Sequence, residues 1–494
     1  MIVGVVGAGV MGRGIAQVCA VAGHEVMLFD VDASAAAAAI TSIRDRLTRD
    51  AQRGRLSAPG AAAAAGRVTG VRAMEEFSSC ELVIEAVVED LGVKRSVFSR
   101  LEAIVSDDCL LASNTSSLSV AAIAGGVDHR DRMVGLHFFN PVPAMKLVEI
   151  VASPYTSSEA LEKAQHFVVN IGKTGVVVRD TPGFLVNLAG RAYATEALAI
   201  LQDGIATIEQ IDRIAKENLG FALGPFELMD LTGIDVNYTV TANLFEHNFA
   251  DDKLRSTWYH RYLFDAGLLG RKTGRGFYDY AGQASPNEPH DADQRAVPSL
   301  RVGVAGGNVD GLLAVCELAG LSVVDPNQAD LVLVAPLGKD CSRTAEELGL
   351  DARRTVAIDL SIADAPVLTM MVPPGVSAPH VASLAEHLRR TGAVELVRDS
   401  PGFIAQRILA AIVNLAAEIA QQGIAAPADI DTAMKLGLRY PKGPLEWGDE
   451  TGIGKVVTIL EGMHDTTGDQ RYRLSGWLRR RAIAKLSCLE PDFS

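Results

Sequence analysis

A chain of 494 residues is too long for one hydrophobic core, and a prior of about 150 residues per domain points to about three or four. Its formal charge of −14, with no run of five or more basic residues, argues against a nucleic-acid surface or an anionic membrane as partner. The six cysteines (Cys19, Cys80, Cys109, Cys316, Cys341 and Cys488) form no C-x-x-C pair. That scatter suits buried thiols in a reducing cytoplasm and argues against zinc or disulfide frameworks, so no metal site is expected. The apolar opening lacks a basic flank and is broken by Gly4, Gly7 and Gly9, unlike a signal peptide, and no stretch reads as long enough to span a bilayer.

Taken in chain order, short Val/Ile/Leu-rich runs at 2–6, 25–30, 82–86, 110–113 and 134–138 alternate with helical patterns as far as about 150. The alternation predicts a doubly wound, α/β Rossmann-like parallel sheet. Ala-rich pieces at 33–39 and 61–65 are expected as surface helices. Beyond Pro182 the strand signal stops, and 3.6-residue periodicity over 185–202, 208–218 and 236–249 predicts an all-α domain to about 280. Pro, Asn, Asp and Gln then fill AGQASPNEPHDADQRAVP (281–298), a composition that cannot build a core.

RDTPGF (179–184) returns 219 positions later as RDSPGF (398–403). The same shift carries Ile211-Asp212 onto Ile430-Asp431, Gly224-Pro225 onto Gly443-Pro444, and Asp230 onto Asp449. A gapless register of this length indicates a duplicated helical domain. The expected layout is 1–180 nucleotide-binding, 181–281 helical, 282–298 linker, 299–397 a truncated and degenerate Rossmann-like segment, and 398–494 the second helical copy.

Gly7-x-Gly9-x-x-Gly12 follows an apolar strand and precedes a helix expected at 13–22. Gly7 permits the tight turn, Gly9 lets backbone approach a pyrophosphate, and Gly12 lets the helix pack on the strand with its N-terminus toward the phosphates. Asp30 closes the second strand eighteen positions after Gly12, where a carboxylate accepts ribose hydroxyls and repels a 2′-phosphate, selecting NAD over NADP. Ser113-Asn114-Thr115-Ser116-Ser117 and Leu136-His137-Phe138-Phe139-Asn140-Pro141 each follow a buried strand, at the carboxyl edge where open sheets bind ligands. His137 is the candidate base, since imidazole titrates near pH ~6.5. Antiparallel pairing about the turn-rich NPVPAM segment would set Glu149 beside it, to orient the ring.

GAGVMG (7–12), SNTSSLS (113–119), GLHFFNPVPAMKLVEIV (135–151), RDTPGFLVN (179–187) and GPFELMDLTGID (224–235) together resemble the L-3-hydroxyacyl-CoA dehydrogenases across residues 1–280. The resemblance implies an active site in the cleft between a nucleotide domain and a helical domain. It implies His137 as base, Glu149 as its partner, and Ser116 and Asn187 as hydrogen-bond donors around the substrate oxygen. For the cofactor NAD it implies Gly7, Gly9, Gly12, Asp30, Glu89, Lys94 and Asn114, with Lys272 of GRKTGRGFY as an addition. The implied reaction is removal of the C3 hydroxyl proton by His137 as hydride leaves C3 for the nicotinamide, giving a 3-ketoacyl thioester. Arg44, Arg46 and Arg49 are candidates for the phosphates of the acyl-CoA substrate, although exposed arginines on a helix are more often simply solvated.

In the second half, aligning Gly7 with Gly306 puts Asn308 where Gly9 stands, with Asp310 beside it, and both oppose a phosphate. VLTMMVPPG (367–375), read as the counterpart of the sixth strand, has no histidine, and Gln406 replaces Asn187, so no second catalytic site is expected. The duplicated layout, with IDTAMKLGLRYPKGPLEWG near its end, resembles the long bacterial dehydrogenases of 3-hydroxyadipyl-CoA or 3-hydroxybutyryl-CoA in phenylacetate, fatty-acid and polymer metabolism. There the second helical copy is expected to stand in for a dimer partner, with homo-oligomerisation through helical domains left open. Competing readings are an NAD-dependent dehydrogenase of a free hydroxy or sugar acid, a non-catalytic NAD-binding protein, and a serine hydrolase. The last lacks a G-x-S-x-G elbow.

Overall fold

The computed structural model describes residues 1–281 and 299–492; the expected linker, 282–298, lies outside them. The chain divides into two compact units, Met1–Leu188 with Ile419–Leu438, and Ala189–Glu418 with Arg439–Ser494.

In the first unit eight strands, β1 (Ile2–Val6), β2 (Glu25–Phe29), β3 (Val68–Gly70), β4 (Leu82–Glu85), β5 (Leu110–Ser113), β6 (Met133–Phe138), β7 (Leu147–Ala152) and β8 (Thr174–Arg179), form one sheet. Their order is β3-β2-β1-β4-β5-β6-β7-β8. Neighbours are parallel except β6 and β7, which pair antiparallel. The central strands β4, β5 and β6 are buried along their whole length, as a sheet covered on both faces requires. β3 and β8 escape a reading based on continuous apolar runs because each mixes exposed and buried positions at the sheet's two edges.

The first helix spans Val10–Val21, starting earlier than the expected 13 because Gly9 is its N-cap and Gly12 lies inside its first turn. Both Ala-rich segments are helical, Ala33–Gln52 and Ala58–Gly66, capped by Asp32 and Ser57. They are not wholly on the surface: Ala36, Ala39, Ala61 and Ala64 join the apolar cluster over the sheet.

The second unit begins with helices Arg191–Gln202, Ile208–Glu217, Pro225–Thr232, Ile234–His247 and Trp258–Asp265. It continues with a six-stranded sheet of β9 (Arg301–Val304), β10 (Ser322–Val323), β11 (Leu331–Val334), β12 (Thr355–Ile358), β13 (Val367–Val372) and β14 (Ala393–Arg398), in the order β10-β9-β11-β12-β13-β14. β13 is antiparallel to β12 and parallel to β14, the neighbour relations of β7. This corrects the reading of VLTMMV as a sixth-strand counterpart: that place is taken by β12, antiparallel to β13 as β6 is to β7, and Asp359, just after β12, whose amide donates to the Thr369 carbonyl, stands where β6 carries His137.

The duplication recurs in local chemistry. Asp180 accepts hydrogen bonds from the Val120 and Ala121 amides at the start of helix Val120–Ala124, and Asp399, its counterpart, does the same for Cys341 and Ser342 at the start of Cys341–Glu347. Each sheet also receives a helix from the opposite half of the chain. In the first unit, helix Pro427–Leu438 packs on β7 and β8, and the Arg179 amide donates to the Ile424 carbonyl at 2.8 Å. In the second unit, the Arg398 amide donates to the Ile205 carbonyl at 3.0 Å, and Gln210 donates to Glu395 and to the Leu396 carbonyl of β14. Residues 179 and 398, and 205 and 424, are related by the same 219 positions.

Helix Ile404–Gln421 corrects another expectation, because its length and hydropathy match a membrane span; 78% of that stretch is buried inside the protein, as in a core helix. In its apolar surroundings Arg407 (3% exposed) donates to Glu196 (1% exposed) at 2.7 Å, and Tyr472 donates to the same carboxylate oxygen at 3.0 Å. Removing one partner strands a buried charge. Glu196→Ala is therefore expected to cost about 3–5 kcal/mol, read as a lowered urea midpoint, whereas an unchanged midpoint would contradict this role.

Candidate active site

The glycine loop is shaped by contacts that no side chain would permit. Gly7 has φ +104°, and a Cβ there would lie 2.5 Å from the Ala86 carbonyl oxygen; one on Gly12 would lie 1.8 Å from that of Gly7. Around Gly9 a Cβ would meet nothing within 4 Å, so this part of the loop is open to a ligand. Asp30 reaches back over the loop, accepting from the Ala8 amide at 2.7 Å with one oxygen and from the Asp32 amide at 3.0 Å with the other.

At the ends of β4 and β5 the polar residues form a tied cluster. Glu85, fully buried, accepts from Lys94, Ser113 and the Val87 amide, each at 2.7 Å. Lys94, 1% exposed, also contacts Glu89 at 3.2 Å. Glu89 accepts from Thr115 Oγ1 (2.7 Å), the Ser116 amide (2.9 Å) and the Ser117 amide and hydroxyl (both 3.0 Å). Desolvation alone would raise the Glu89 carboxyl, but these donors and the Lys94 charge outweigh it and hold it down to about 2. Ser116 is exposed, its hydroxyl 3.4 Å from Glu89. Asn114 accepts the Phe138 amide at 2.9 Å, tying this loop to the end of β6.

β6 and β7 pair so that His137 stands directly opposite Glu149. The ring's Nδ1 lies 2.5 Å from Glu149 Oε2, and the ring packs against Phe139 and Phe184 at centroid distances of 4.5 and 5.8 Å. No hydrogen bond from the described residues reaches Nε2. The other Glu149 oxygen accepts the Leu185 amide at 3.0 Å and the Val186 amide at 2.8 Å. Those amides are presented by the TPGF turn, where Gly183 has φ +79° and Phe184, a non-glycine, has φ +51°. Such a conformation persists only where its surroundings over-determine it, and here it delivers the donors to a fully buried carboxyl.

Asn187 follows on the short helix Val186–Ala189, so Ser116, His137, Glu149 and Asn187 all belong to the first unit. Lys272 lies in the second unit, in an ion pair with Asp235. Arg44, Arg46 and Arg49 are exposed on helix Ala33–Gln52. Lys94, with its ammonium engaged by two carboxylates, holds Glu85 and Glu89 in place. Glu85, Asp180 and Phe184 were not singled out in the sequence; an acidic residue closing an otherwise apolar strand was the available signal for Glu85.

Comparison with known proteins places this geometry. The family model described as 3-hydroxyacyl-CoA dehydrogenase, NAD binding domain, matches residues 2–181. The model of the same family's C-terminal domain matches twice, at 183–280 and 402–487. The chain is 35% identical over 482 residues to 3-hydroxyadipyl-CoA dehydrogenase of Escherichia coli K12, covering 97% of both chains. It is 38% identical over 280 residues to 3-hydroxybutyryl-CoA dehydrogenase of Bradyrhizobium diazoefficiens, covering 57% of this chain and 95% of that one. A crystal structure of 3-hydroxybutyryl-CoA dehydrogenase from Escherichia coli K12 superposes with a TM-score of 0.87 at 33% identity, covering 98% of each chain. The chain belongs to the 3-hydroxyacyl-CoA dehydrogenase family.

As a member of that family it is an NAD-dependent oxidoreductase. The residues present fit the dinucleotide: the space at Gly9, the uncapped N-terminus of Val10–Val21 and the Asp30 carboxylate suit a pyrophosphate and a ribose. The second half of this dehydrogenase lacks the matching reactive groups. Register against the last strand aligns Glu149 with Thr369, and Gln406, in the place of Asn187, donates to Asp359 and the Pro336 carbonyl and accepts from the Gly338 amide.

Gly12→Ala is expected to displace the loop and weaken NAD binding by about ten-fold or more in a titration, with wild-type affinity contradicting the assignment. Because folding depresses the Glu89 carboxyl, its contribution to stability is present above the unfolded value near 4.5 and is lost as pH falls toward 2. Melting temperature followed from pH 5 to pH 2 should therefore fall less steeply in Glu89→Gln than in the wild type; parallel curves would refute it.

Proposed function

We propose that the chain oxidises the 3-hydroxyl of 3-hydroxyadipyl-CoA or 3-hydroxybutyryl-CoA, reversibly, in the cytoplasm, with His137 as the catalytic base. The observation that carries this reading is the buried His137–Glu149 contact with no hydrogen bond from the described residues at Nε2. An ionised carboxyl only accepts, so the hydrogen in that contact sits on Nδ1 and Nε2 keeps its lone pair for the substrate hydroxyl. Glu149 is a positioning residue, setting tautomer and ring angle and stabilising the imidazolium after proton transfer. Ser116 and Asn187 hydrogen-bond the C3 oxygen. Bound NAD supplies the hydride acceptor. Gly7, Gly9, Gly12 and Asp30 hold it, with Asn114 as a further contact, while Glu89 and Lys94 keep the loop beneath it in shape.

The full-length relative is named for the adipyl substrate and the full-length structural match for the butyryl one, so both substrates are candidates. NADH formation should be measured with 3-hydroxyadipyl-, 3-hydroxybutyryl- and longer 3-hydroxyacyl-CoA, and with free hydroxy and sugar acids. Turnover of a thioester and none of the free acids is expected; the reverse pattern would overturn the proposal. His137→Gln should lose about 100- to 10,000-fold in kcat while still binding NAD, and a near-normal rate would remove His137 from the mechanism.

A further inference from the structure

The carboxyl edge of the second sheet borders a cavity of about 590 Å³, contained in the second unit. Its wall includes the Gly306-Gly307-Asn308 loop between β9 and helix Val309–Ala319. The sequence sets Asn308 and Asp310 against a phosphate there, but the backbone changes that reading. Asn308 is left-handed (φ 53°, ψ 42°) and makes no side-chain cap, so the first amides of the helix keep their hydrogens free of one, and exposed Asp310 is not part of the wall. A Cβ on Gly307 would meet nothing within 4 Å, as at Gly9.

Two further groups on the same wall are independent of the helix. Ser361 is 6% exposed, and its hydroxyl, beside the buried Asp359 carboxyl, makes no hydrogen bond of regular geometry to a described residue. Rotation about χ1 gives that hydroxyl three staggered settings, so it can turn to a ligand. Lys455 donates to the Ser361 carbonyl at 3.2 Å, and its ammonium has further hydrogens to give. Lys339, also on the wall, is neutralised by Glu347; Lys455 acts on the nearby Asp359 carboxyl, which burial pushes toward its neutral form, so Lys455 is the cation left for an anion. The remaining surface is apolar, with Val334, Leu337, Leu348 and Leu360.

We propose that this cavity binds a phosphate monoester of mononucleotide size, its phosphate met by the helix N-terminus, Lys455 and Ser361 and its organic part lying on the apolar wall. A dinucleotide does not fit this description, because no residue from the end of β10, where a ribose-binding carboxylate would stand, lines the cavity. The site is a binding site without the reactive histidine.

Calorimetry on the full chain saturated with NAD, titrated with AMP, tests this, since NAD already fills the nucleotide site of the first half. AMP should bind the NAD-saturated chain, and more tightly than adipate. Lys455→Gln and Ser361→Ala should each weaken AMP by about ten-fold while leaving NAD affinity, the check on folding, unchanged, as expected for loss of a hydrogen bond to a charged group. Absence of AMP binding in the presence of NAD, adipate binding as tightly as AMP, or unchanged AMP affinity in either variant would overturn the proposal.

Discussion

Glu149 has no exposure to water, yet its carboxyl is met by the His137 ring and by the Leu185 and Val186 amides. An unpartnered carboxylate at that depth would cost several kcal/mol, so three separate pieces of chain must arrive together. β6 brings the ring, the antiparallel joint with β7 sets the register, and the left-handed Phe184 turns the start of the next helix so that its amides point back. The one antiparallel pair in an otherwise parallel sheet is thus the feature that places a histidine opposite a carboxyl at the sheet's ligand-binding edge.

Much of this was legible in the sequence because the responsible residues sit in local patterns. The glycine spacing, the apolar strands and two strands flanking a proline-rich turn are short-range signals, and they sufficed to set His137 against Glu149. What escaped needs three dimensions. Glu85 and Lys94 are nine residues apart in sequence, one closing a strand and the other inside the next helix, a spacing that no local pairing pattern links, and the fold buries both and makes them the anchor of the Glu89 loop. The strained Phe184 looks like any aromatic in a turn. In the second half the counterpart of β6 was hard to place, since VLTMMV satisfies the pattern of β6 as well as that of β7; its antiparallel pairing with the preceding β12 and parallel pairing with the following β14 make it the counterpart of β7.

The duplication reads as an exchange of parts. Each sheet ends in a strand whose final arginine, Arg179 or Arg398, bonds through its amide to a carbonyl in the helical copy of the opposite half. A closed exchange of this kind between identical chains would be a swapped dimer, and here a single chain provides both members. The second sheet is therefore retained for what it holds up, which explains how its counterpart of β6 carries Asp359 in place of the histidine while β13, β14 and the Asp399 cap that seat the helices are kept.

The account rests on Glu149 fixing the proton on Nδ1 of His137, and Glu149→Gln isolates that property. Glutamine keeps an oxygen for the Leu185 and Val186 amides, but its NH₂ must donate to the ring, which drives the ring proton to Nε2 and removes the acceptor the substrate hydroxyl needs. Turnover at saturating NAD and 3-hydroxyacyl-CoA is the deciding measurement. A fall of about 100-fold or more in kcat with an unchanged melting temperature is predicted, and a folded Glu149→Gln enzyme turning over at nearly the wild-type rate would contradict the central claim.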